Sequence, residues 1–365
     1  MGYMDTLLDY LHWIGSFSFS EVPFGEVDQL VFSVFAYVRF ELLGPGPVTL
    51  EEASAVIGSL DTDERKARTE NDLGLLSAAV GTRRFRNVLL IRSMSRFDKS
   101  LETQFSATSF QIPGHFLVIA YRGTDSTITG WKEDFNMAFT ETVPAQEEAL
   151  SFLCGTMAEY PDEKAVVTGH SKGGNLSLYA YLKAPQAVKD RVQAVYSNDG
   201  PGFNDQSLLS GIDGKVSVYV PEESVVGMLL SHPEEYKVVR SSSFSLLQHD
   251  PHTWLLDGPA FAISEGLSRE SRLFDRKLRD FLQAKSVEER EMFINNTYEL
   301  IAAFHFDQAR SDPSVLRDSL AGVMIRLIGL KSEDRKAMLR FLMGLAGTFL
   351  PESREELLFL LKQGV

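Results

Sequence analysis

The sequence is poor in cysteine, in basic residues and in long apolar runs, and each shortage excludes a class of protein. Cys154 is the single cysteine among 365 residues, which excludes an intrachain disulfide and a structural zinc site built on several cysteines. Lysine and arginine total 36 against 50 aspartates and glutamates, for a net charge of −14. That balance argues against nucleic acid as the main partner. The longest strongly apolar run, residues 341–350, is shorter than the roughly 20 residues of a membrane-spanning helix.

What is present is the composition of an ordinary soluble globular protein, with 44% apolar and 24% charged residues. The length predicts about two domains, or one large domain with additions. The N-terminus has no basic segment, and Asp5 and Asp9 interrupt its apolar pattern, so it is unlike a secretory signal. Together with the single cysteine, this favours a cytoplasmic location.

Three regions follow one another along the chain. Residues 1–85 are predicted to be helical, with a capping box at Thr49 and Glu52, and residues 266–365 form a second predicted helical region. Between them, strands are predicted at 88–93, 102–111, 115–121, 165–168, 192–197, 215–220 and 236–241, and helices at 144–160, 175–182 and 225–231. Short apolar strands joined by helices predict an α/β protein whose mostly parallel sheet is covered by helices on both faces.

The segment around Ser171 carries the chemistry. Gly169, Ser171 and Gly173 form a G-x-S-x-G pattern between a buried strand and a helix, which is typical of a nucleophile elbow. The serine must occupy a sharp, strained turn to project its hydroxyl, and the glycines have no Cβ to collide where strand and helix pass closely. The backbone N–H of Lys172, at the helix start, is then placed to donate to a developing oxyanion.

An elbow predicts an oxyanion loop and a general base elsewhere in the chain. Thr124 follows the strand 115–121 and is the candidate for the second oxyanion donor, through its backbone N–H or its hydroxyl. The base should follow the last strand. His249 is favoured there because Asp250 and Pro251 fix a tight turn just after it, and His252 is the alternative.

The acid that orients the base has to lie between the serine and the histidine if the chain order is serine, acid, histidine. Asp199 follows the strand 192–197, and Glu222 and Glu223 follow the strand 215–220. Asp199 is a short carboxylate held just before Gly200, whereas Glu222 and Glu223 are at the position that the acid more usually takes in this topology. The residue pattern is compatible with both, so the choice stays open.

No cofactor is expected from the sequence. Asp125, Glu133 and Asp134 are close together, but their spacing fits no metal-ligand pattern. Neither a P-loop nor G-x-G-x-x-G follows a predicted strand, so nucleotide binding has no support. Apolar stripes at 320–328 and 339–346 are interpreted as packing surfaces, and they leave membrane contact and the oligomeric state open.

Several of these motifs occur together in known proteins. Tyr121 to Thr124, then Trp131 and Asp134, then Gly169 to Gly174 resemble the class 3 (fungal-type) lipase pattern. The resemblance is closer to a bacterial family of lipase-like α/β-hydrolases and covers roughly residues 5–265. Its further motifs are D-Y-L at 9–11, P-F-G-E-V-D at 23–28, D-G-P-G-F at 199–203, Pro221, Ser224, Val226 and Gly227, and H-D-P-H-T-W at 249–254.

The resemblance implies an α/β-hydrolase core at 86–265, with the N-terminal helices packed on it and the C-terminal helices added to it. It implies a serine hydrolase of lipase or esterase type that acts on a carboxylic ester, a small-molecule substrate, through an acyl-enzyme on Ser171, but no particular substrate. Lys172 departs from the Leu or Gln often found there in true lipases, which weakens the case for a triglyceride. Two other hypotheses stay open: an inactive hydrolase-fold binding protein working through its helical flanks, and a thioesterase or peptidase that uses the same machinery.

Overall fold

An eight-stranded sheet, with its strands side by side in chain order, organises the first 267 residues. In the computed structural model, residues 1–267 form one compact unit and residues 268–365 a second. The structure describes residues 5–44, 46–60, 66–98, 103–124, 142–224, 226–243, 245–269 and 271–272. The predicted C-terminal helices from residue 273 onward, and Asp125, Trp131, Glu133 and Asp134, lie outside the described residues.

The strands of the large sheet are β1 (Val48–Thr49), β2 (Leu89–Asp98), β3 (Thr103–Ile112), β4 (Phe116–Tyr121), β5 (Ala165–His170), β6 (Val192–Asn198), β7 (Val216–Pro221) and β8 (Lys237–Val239). The pairs from β1 to β4 are antiparallel, and those from β4 to β8 are parallel. A short separate ribbon joins β9 (Leu256–Asp257) to β10 (Ala260–Phe261).

The described helices are α1 (Leu7–Ile14), α2 (Glu26–Phe35), α3 (Leu50–Ser59), α4 (Glu70–Val80), α5 (Pro144–Glu159), α6 (Lys172–Lys183) and α7 (Gln186–Lys189). Short 3₁₀ helices occupy Phe40–Leu43, Gln206–Gly211, Ser245–His249 and Pro251–Thr253. The predicted capping box is confirmed, because the Thr49 side chain accepts from the Glu52 N–H at the start of α3. No helix in the described ranges has an apolar stretch long enough to cross a membrane.

The two faces of the sheet bury two separate apolar clusters. Along β4 the side chains alternate: Val118 and Ala120 belong to the cluster built with α1–α4, whereas Leu117 and Ile119 belong to the cluster built with α5 and α6. This period of two is what a strand imposes when both of its faces are covered. The N-terminal helices therefore share one core with the sheet.

The parallel strands β4–β8, the helices on both faces and the sharp turn from β5 into α6 give an α/β-hydrolase fold, as the sequence predicted. Each predicted strand is confirmed, with ends that shift by up to five residues. The helix predicted at 225–231 is wrong. Residues 226–231 form turns and bends that end in a bridge between Phe203 and Ser231, and their backbone is used for tertiary contacts instead.

Candidate active site

Ser171 occupies a strained turn between β5 and α6. Its backbone has φ 58° and ψ −134°, a left-handed conformation that a residue with a side chain rarely adopts. The turn is compact: a Cβ on Gly169 would lie 2.0 Å from the Gly173 carbonyl oxygen. The Ser171 N–H donates to the Asn198 carbonyl at 2.9 Å, which links the turn to the end of β6. Local sequence thus produces the elbow, because glycine is required where strand and helix approach this closely.

Asp199 and His249 form the central side-chain pair of the site. His249 Nδ1 lies 2.6 Å from Asp199 Oδ2, and the aspartate is almost fully buried at 1% exposure. Its other oxygen, Oδ1, accepts from the Ser224 hydroxyl at 2.5 Å and from the Gly227 N–H at 3.0 Å. A carboxylate held by this many donors keeps its orientation, so it can fix the imidazole tautomer that leaves Nε2 for proton transfer.

These residues meet because parallel strands end at one edge of the sheet. Ser171 and Asp199 follow β5 and β6, whose last paired residues are His170 and Asn198, and His249 follows β8. Within the described residues, neither the Ser171 hydroxyl nor Nε2 of His249 has a hydrogen-bond partner. In structures without substrate the hydrogen bond between a catalytic serine hydroxyl and its histidine is often long, and it shortens only when substrate binds.

His170 contacts His249 from inside the elbow. Its Nε2 lies 2.7 Å from the His249 carbonyl oxygen, and its Nδ1 lies 2.8 Å from the Tyr37 hydroxyl. A carbonyl only accepts, so Nε2 carries the proton and Nδ1 accepts from Tyr37. The ring centroids of His170 and His249 are 4.6 Å apart. Burial first, then the charges of His249 and Arg68, hold the pKa of His170 well below its ordinary value, so a second positive charge beside the base is avoided.

The predicted oxyanion loop lies against the Ser171 turn. A Cβ on Gly123 would be 3.0 Å from the Ser171 Cβ and 2.7 Å from the His170 carbonyl oxygen, so Thr124 follows a residue in direct contact with the elbow. Lys172 is the first residue of α6. Its side chain extends to β3, where Nζ donates to the Gln104 carbonyl at 2.8 Å.

The alternative candidates contact other groups. His252 Nε2 lies 2.9 Å from Asp72 Oδ1. The Glu222 carboxylate accepts from the Ser264 hydroxyl at 2.6 Å, and the Glu223 N–H donates to the Gln248 side chain at 2.9 Å. The structure thus brings Asp199 together with His249, whereas the alternative candidates contact other residues.

Several contributing residues were not assigned a role from the sequence. In the sequence, Ser224 and Gly227 are only members of a motif. Their spacing from Pro221 is the signal that could have suggested a contact with Asp199. His170 lies inside the elbow, and nothing in the sequence pattern singles out either it or Tyr37 as part of the site. No group of three or more potential metal ligands occurs among the described residues.

The parallel sheet, the strained serine turn and the buried aspartate–histidine pair at the strand ends define a lipase-like protein of the α/β-hydrolase fold. The chain belongs to the Mbeg1-like family, whose family model matches residues 79–299. This match covers more than half of the chain, including the elbow and both partners of the Asp199–His249 pair.

Several solved structures with a similar chain course are lipases. The lipase from Rhizopus microsporus var. chinensis is 17% identical, with a TM-score of 0.38, over 65% of this chain and 77% of its own. A fungal lipase in complex with an inhibitor is 16% identical, with a TM-score of 0.41, over 67% and 86%. The Rhizomucor miehei lipase–propeptide complex is 14% identical, with a TM-score of 0.37, over 65% and 74%. No curated protein matches the chain.

Proposed function

We propose that the protein is a serine hydrolase of lipase or esterase type that cleaves a carboxylic ester through an acyl-enzyme on Ser171. The observation that carries the proposal is the 2.6 Å contact between His249 Nδ1 and the buried Asp199 carboxylate, at the same sheet edge as the strained Ser171 turn. The resemblance to class 3 lipases and to a bacterial lipase-like family is part of this proposal and supports the same reaction class.

In the first half-reaction His249 accepts the Ser171 hydroxyl proton through Nε2 while the serine oxygen attacks the ester carbonyl. Asp199 holds the imidazole and stabilises the charge that it gains. The backbone N–H groups of Thr124 and Lys172 donate to the oxyanion of the tetrahedral intermediate. When the intermediate collapses, the ester C–O bond breaks, and the alcohol leaves with the proton that His249 returns.

In the second half-reaction water replaces the alcohol. His249 accepts a proton from water as its oxygen attacks the acyl carbonyl, and the same two amides stabilise the second oxyanion. Collapse breaks the bond to the serine oxygen, which takes back its proton, and releases the carboxylic acid. The chain's own side chains account for every proton moved, so the proposed reaction needs no added group.

The proposed substrate is a soluble or neutral ester, and the proposed location is cytoplasmic. Support comes from the net charge of −14, because an acidic surface disfavours adsorption to anionic lipid. The Lys172 side chain is held by the Gln104 carbonyl, and this contact is compatible with acylation of Ser171.

Labelling with a fluorophosphonate probe tests the nucleophile directly. The wild-type protein is expected to bind the probe covalently, and Ser171→Ala is expected to remain unlabelled while it stays folded by circular dichroism. Labelling of neither protein would contradict the catalytic proposal and favour the binding-protein hypothesis. Equal labelling of both would show that a different residue reacts.

Substrate class is tested with p-nitrophenyl esters of graded acyl length, compared with thioesters and peptides of matched acyl groups. An ester hydrolase is expected to give its highest kcat/KM on the oxygen esters, with Ser171→Ala as the blank. A higher kcat/KM on the thioesters or peptides would replace the esterase assignment while leaving the role of Ser171 intact.

A further inference from the structure

The segment that carries His249 is held by a second buried aspartate–histidine pair. His252 Nε2 lies 2.9 Å from Oδ1 of Asp72, a residue 180 positions earlier in the chain that belongs to the first turn of α4. Asp72 is fully buried and His252 is 12% exposed. A contact between groups so distant in sequence fixes the 249–254 segment to the N-terminal helices.

Asp72 is built to accept from several donors at once. Its Oδ2 accepts from the Thr69 N–H at 2.9 Å, and its Oδ1 accepts from Arg68 Nη2 at 3.1 Å as well as from His252. Burial alone would raise the pKa of Asp72, but the hydrogen bond from His252 and the charge of Arg68 outweigh it and lower the pKa. The aspartate is therefore ionised near neutral pH, and Nε2 of His252 donates to it.

Arg68 connects this pair to the groups around the base. Its guanidinium lies 3.5 Å from Asp250 and 4.3 Å from the centre of the Tyr37 ring. The Tyr37 hydroxyl donates to His170, which in turn donates to the His249 carbonyl. The backbone of His249 is thus held from one side through His170 and from the other through the turn that leads to His252.

The link between His252 and His249 is short and stiff. Only Asp250 and Pro251 separate them, the proline has a restricted φ, and Asp250 caps the following turn by accepting from the His252 N–H at 3.2 Å. A displacement of His252 is transmitted to His249, because the intervening backbone has little freedom to absorb it. Such displacements matter, since a shift of about 1 Å in a catalytic group can cost about 100-fold in rate.

We propose that Asp72 and His252 are positioning residues that keep His249 in register with Asp199. The inference has two parts. The geometric part concerns only the Asp199–His249 contact, and the kinetic part, an effect on the rate of ester cleavage, rests on the proposed function. The sequence offers His252 as an alternative base; this assignment gives it a supporting role instead.

The geometric part is tested by proton NMR of the His249 Nδ1–H, whose downfield resonance is identified by its loss in Asp199→Asn. His252→Leu and Asp72→Asn are expected to shift or broaden that resonance. His252→Gln is expected to preserve it, because a glutamine amide can donate to Asp72 from a similar position. The matched control is Asp28→Asn, which removes a different buried aspartate that is paired with an arginine, in the Arg84–Asp28 contact at 2.7 Å.

The kinetic part is tested on the ester that the wild-type protein cleaves best. His252→Leu and Asp72→Asn are expected to lower kcat by about 10- to 100-fold with KM nearly unchanged, and His252→Gln to restore most of the rate. An unchanged His249 resonance in folded His252→Leu and Asp72→Asn would overturn the inference. So would equal loss of that resonance in Asp28→Asn. The resonance gives this answer even if the wild-type protein has no esterase activity, which would contradict the proposed function alone.

Discussion

Of the three described non-glycine residues with positive φ, two belong to the candidate site and the third is Leu230. Ser171 and Asp199 have φ values of 58° and 49°, and left-handed conformations of this kind cost about 1–3 kcal/mol each for residues other than glycine. Both are held by short backbone bonds: the Ser171 N–H donates to Asn198 and the Asp199 N–H donates to Tyr219 at 2.7 Å. Backbone strain of this kind is common at functional sites, where a side chain has to be held in one orientation.

The role of Asp199 is tested by Asp199→Asn. Asparagine tolerates the left-handed conformation, so the fold is expected to survive, but its amide favours the wrong imidazole tautomer. By analogy with triads in general, kcat on the best ester is expected to fall by about 10⁴-fold. Glu222→Gln is the matched control, because the Glu222 carboxylate accepts from Ser264; its kcat is expected to stay within about threefold of wild type. A large loss in Glu222→Gln with little loss in Asp199→Asn would reverse the assignment.

At the scale of elements, α2 reaches through the core to the two strands that carry the site. The Gln29 amide pairs with Asn198 through two hydrogen bonds of 2.9 and 2.8 Å and accepts from the Thr168 hydroxyl at 2.6 Å. All three side chains are fully buried. Asn198 comes just before Asp199 and its carbonyl accepts from the Ser171 N–H, so this helix sets the spacing between Ser171 and Asp199.

Gln29→Leu removes that link while keeping the volume of the side chain. Buried partners left without a hydrogen bond cost about 1–3 kcal/mol, so the free energy of unfolding is expected to fall by about that amount in urea titrations. The kcat is expected to fall with it. Gln186→Leu on the exposed surface of α7 is the control and is expected to change stability by less than about 0.5 kcal/mol. Equal stability of the two variants would contradict the role given to α2.

The sequence predicts the parallel strands well because their signal is local: each is a short β-branched or apolar run followed by a turn. The elbow is predictable for the same reason, since its glycines and serine are contiguous. The apolar run at 225–231 shows where local signals fail. It reads as a helix, but Gly227 gives its N–H to Asp199 and Ser231 pairs with Phe203, and these tertiary contacts override the helical propensity.

Distance along the chain explains what the sequence does not show about the site. The choice between Asp199 and the two glutamates depends on which strand end faces His249, and the sequence pattern is compatible with either. The Gln29–Asn198 pair spans 169 residues and the Asp72–His252 pair spans 180. A single sequence does not show which distant residues pair, because each of these residues by itself is an ordinary polar residue in a helix or a turn.

At the scale of the whole molecule, the free energy of unfolding in acid depends on His170, which is buried in its neutral form. His170 has no exposed surface, and burial first, then the charges of His249 and Arg68, keep its pKa well below 6.5. Below that pH the unfolded chain binds a proton that the folded chain does not, so the free energy of unfolding falls as the pH falls. The stabilising contribution of neutral His170 is complete above pH 6.5 and is lost on acidification through the folded pKa.

His170→Gln, which keeps a donor and an acceptor but cannot titrate, isolates this effect. Between about pH 6.5 and 5, wild-type stability is expected to fall more steeply than that of the variant, by up to about 1.4 kcal/mol per pH unit. Above about pH 7.5 the two slopes are expected to coincide. Urea unfolding followed by tryptophan fluorescence suits the measurement, because Trp13 and Trp254 both lie in the compact unit that contains His170. Parallel curves down to pH 5 would mean that His170 takes up its proton in the folded protein, and a charged imidazole beside His249 would then oppose the charge that the proposed base must gain.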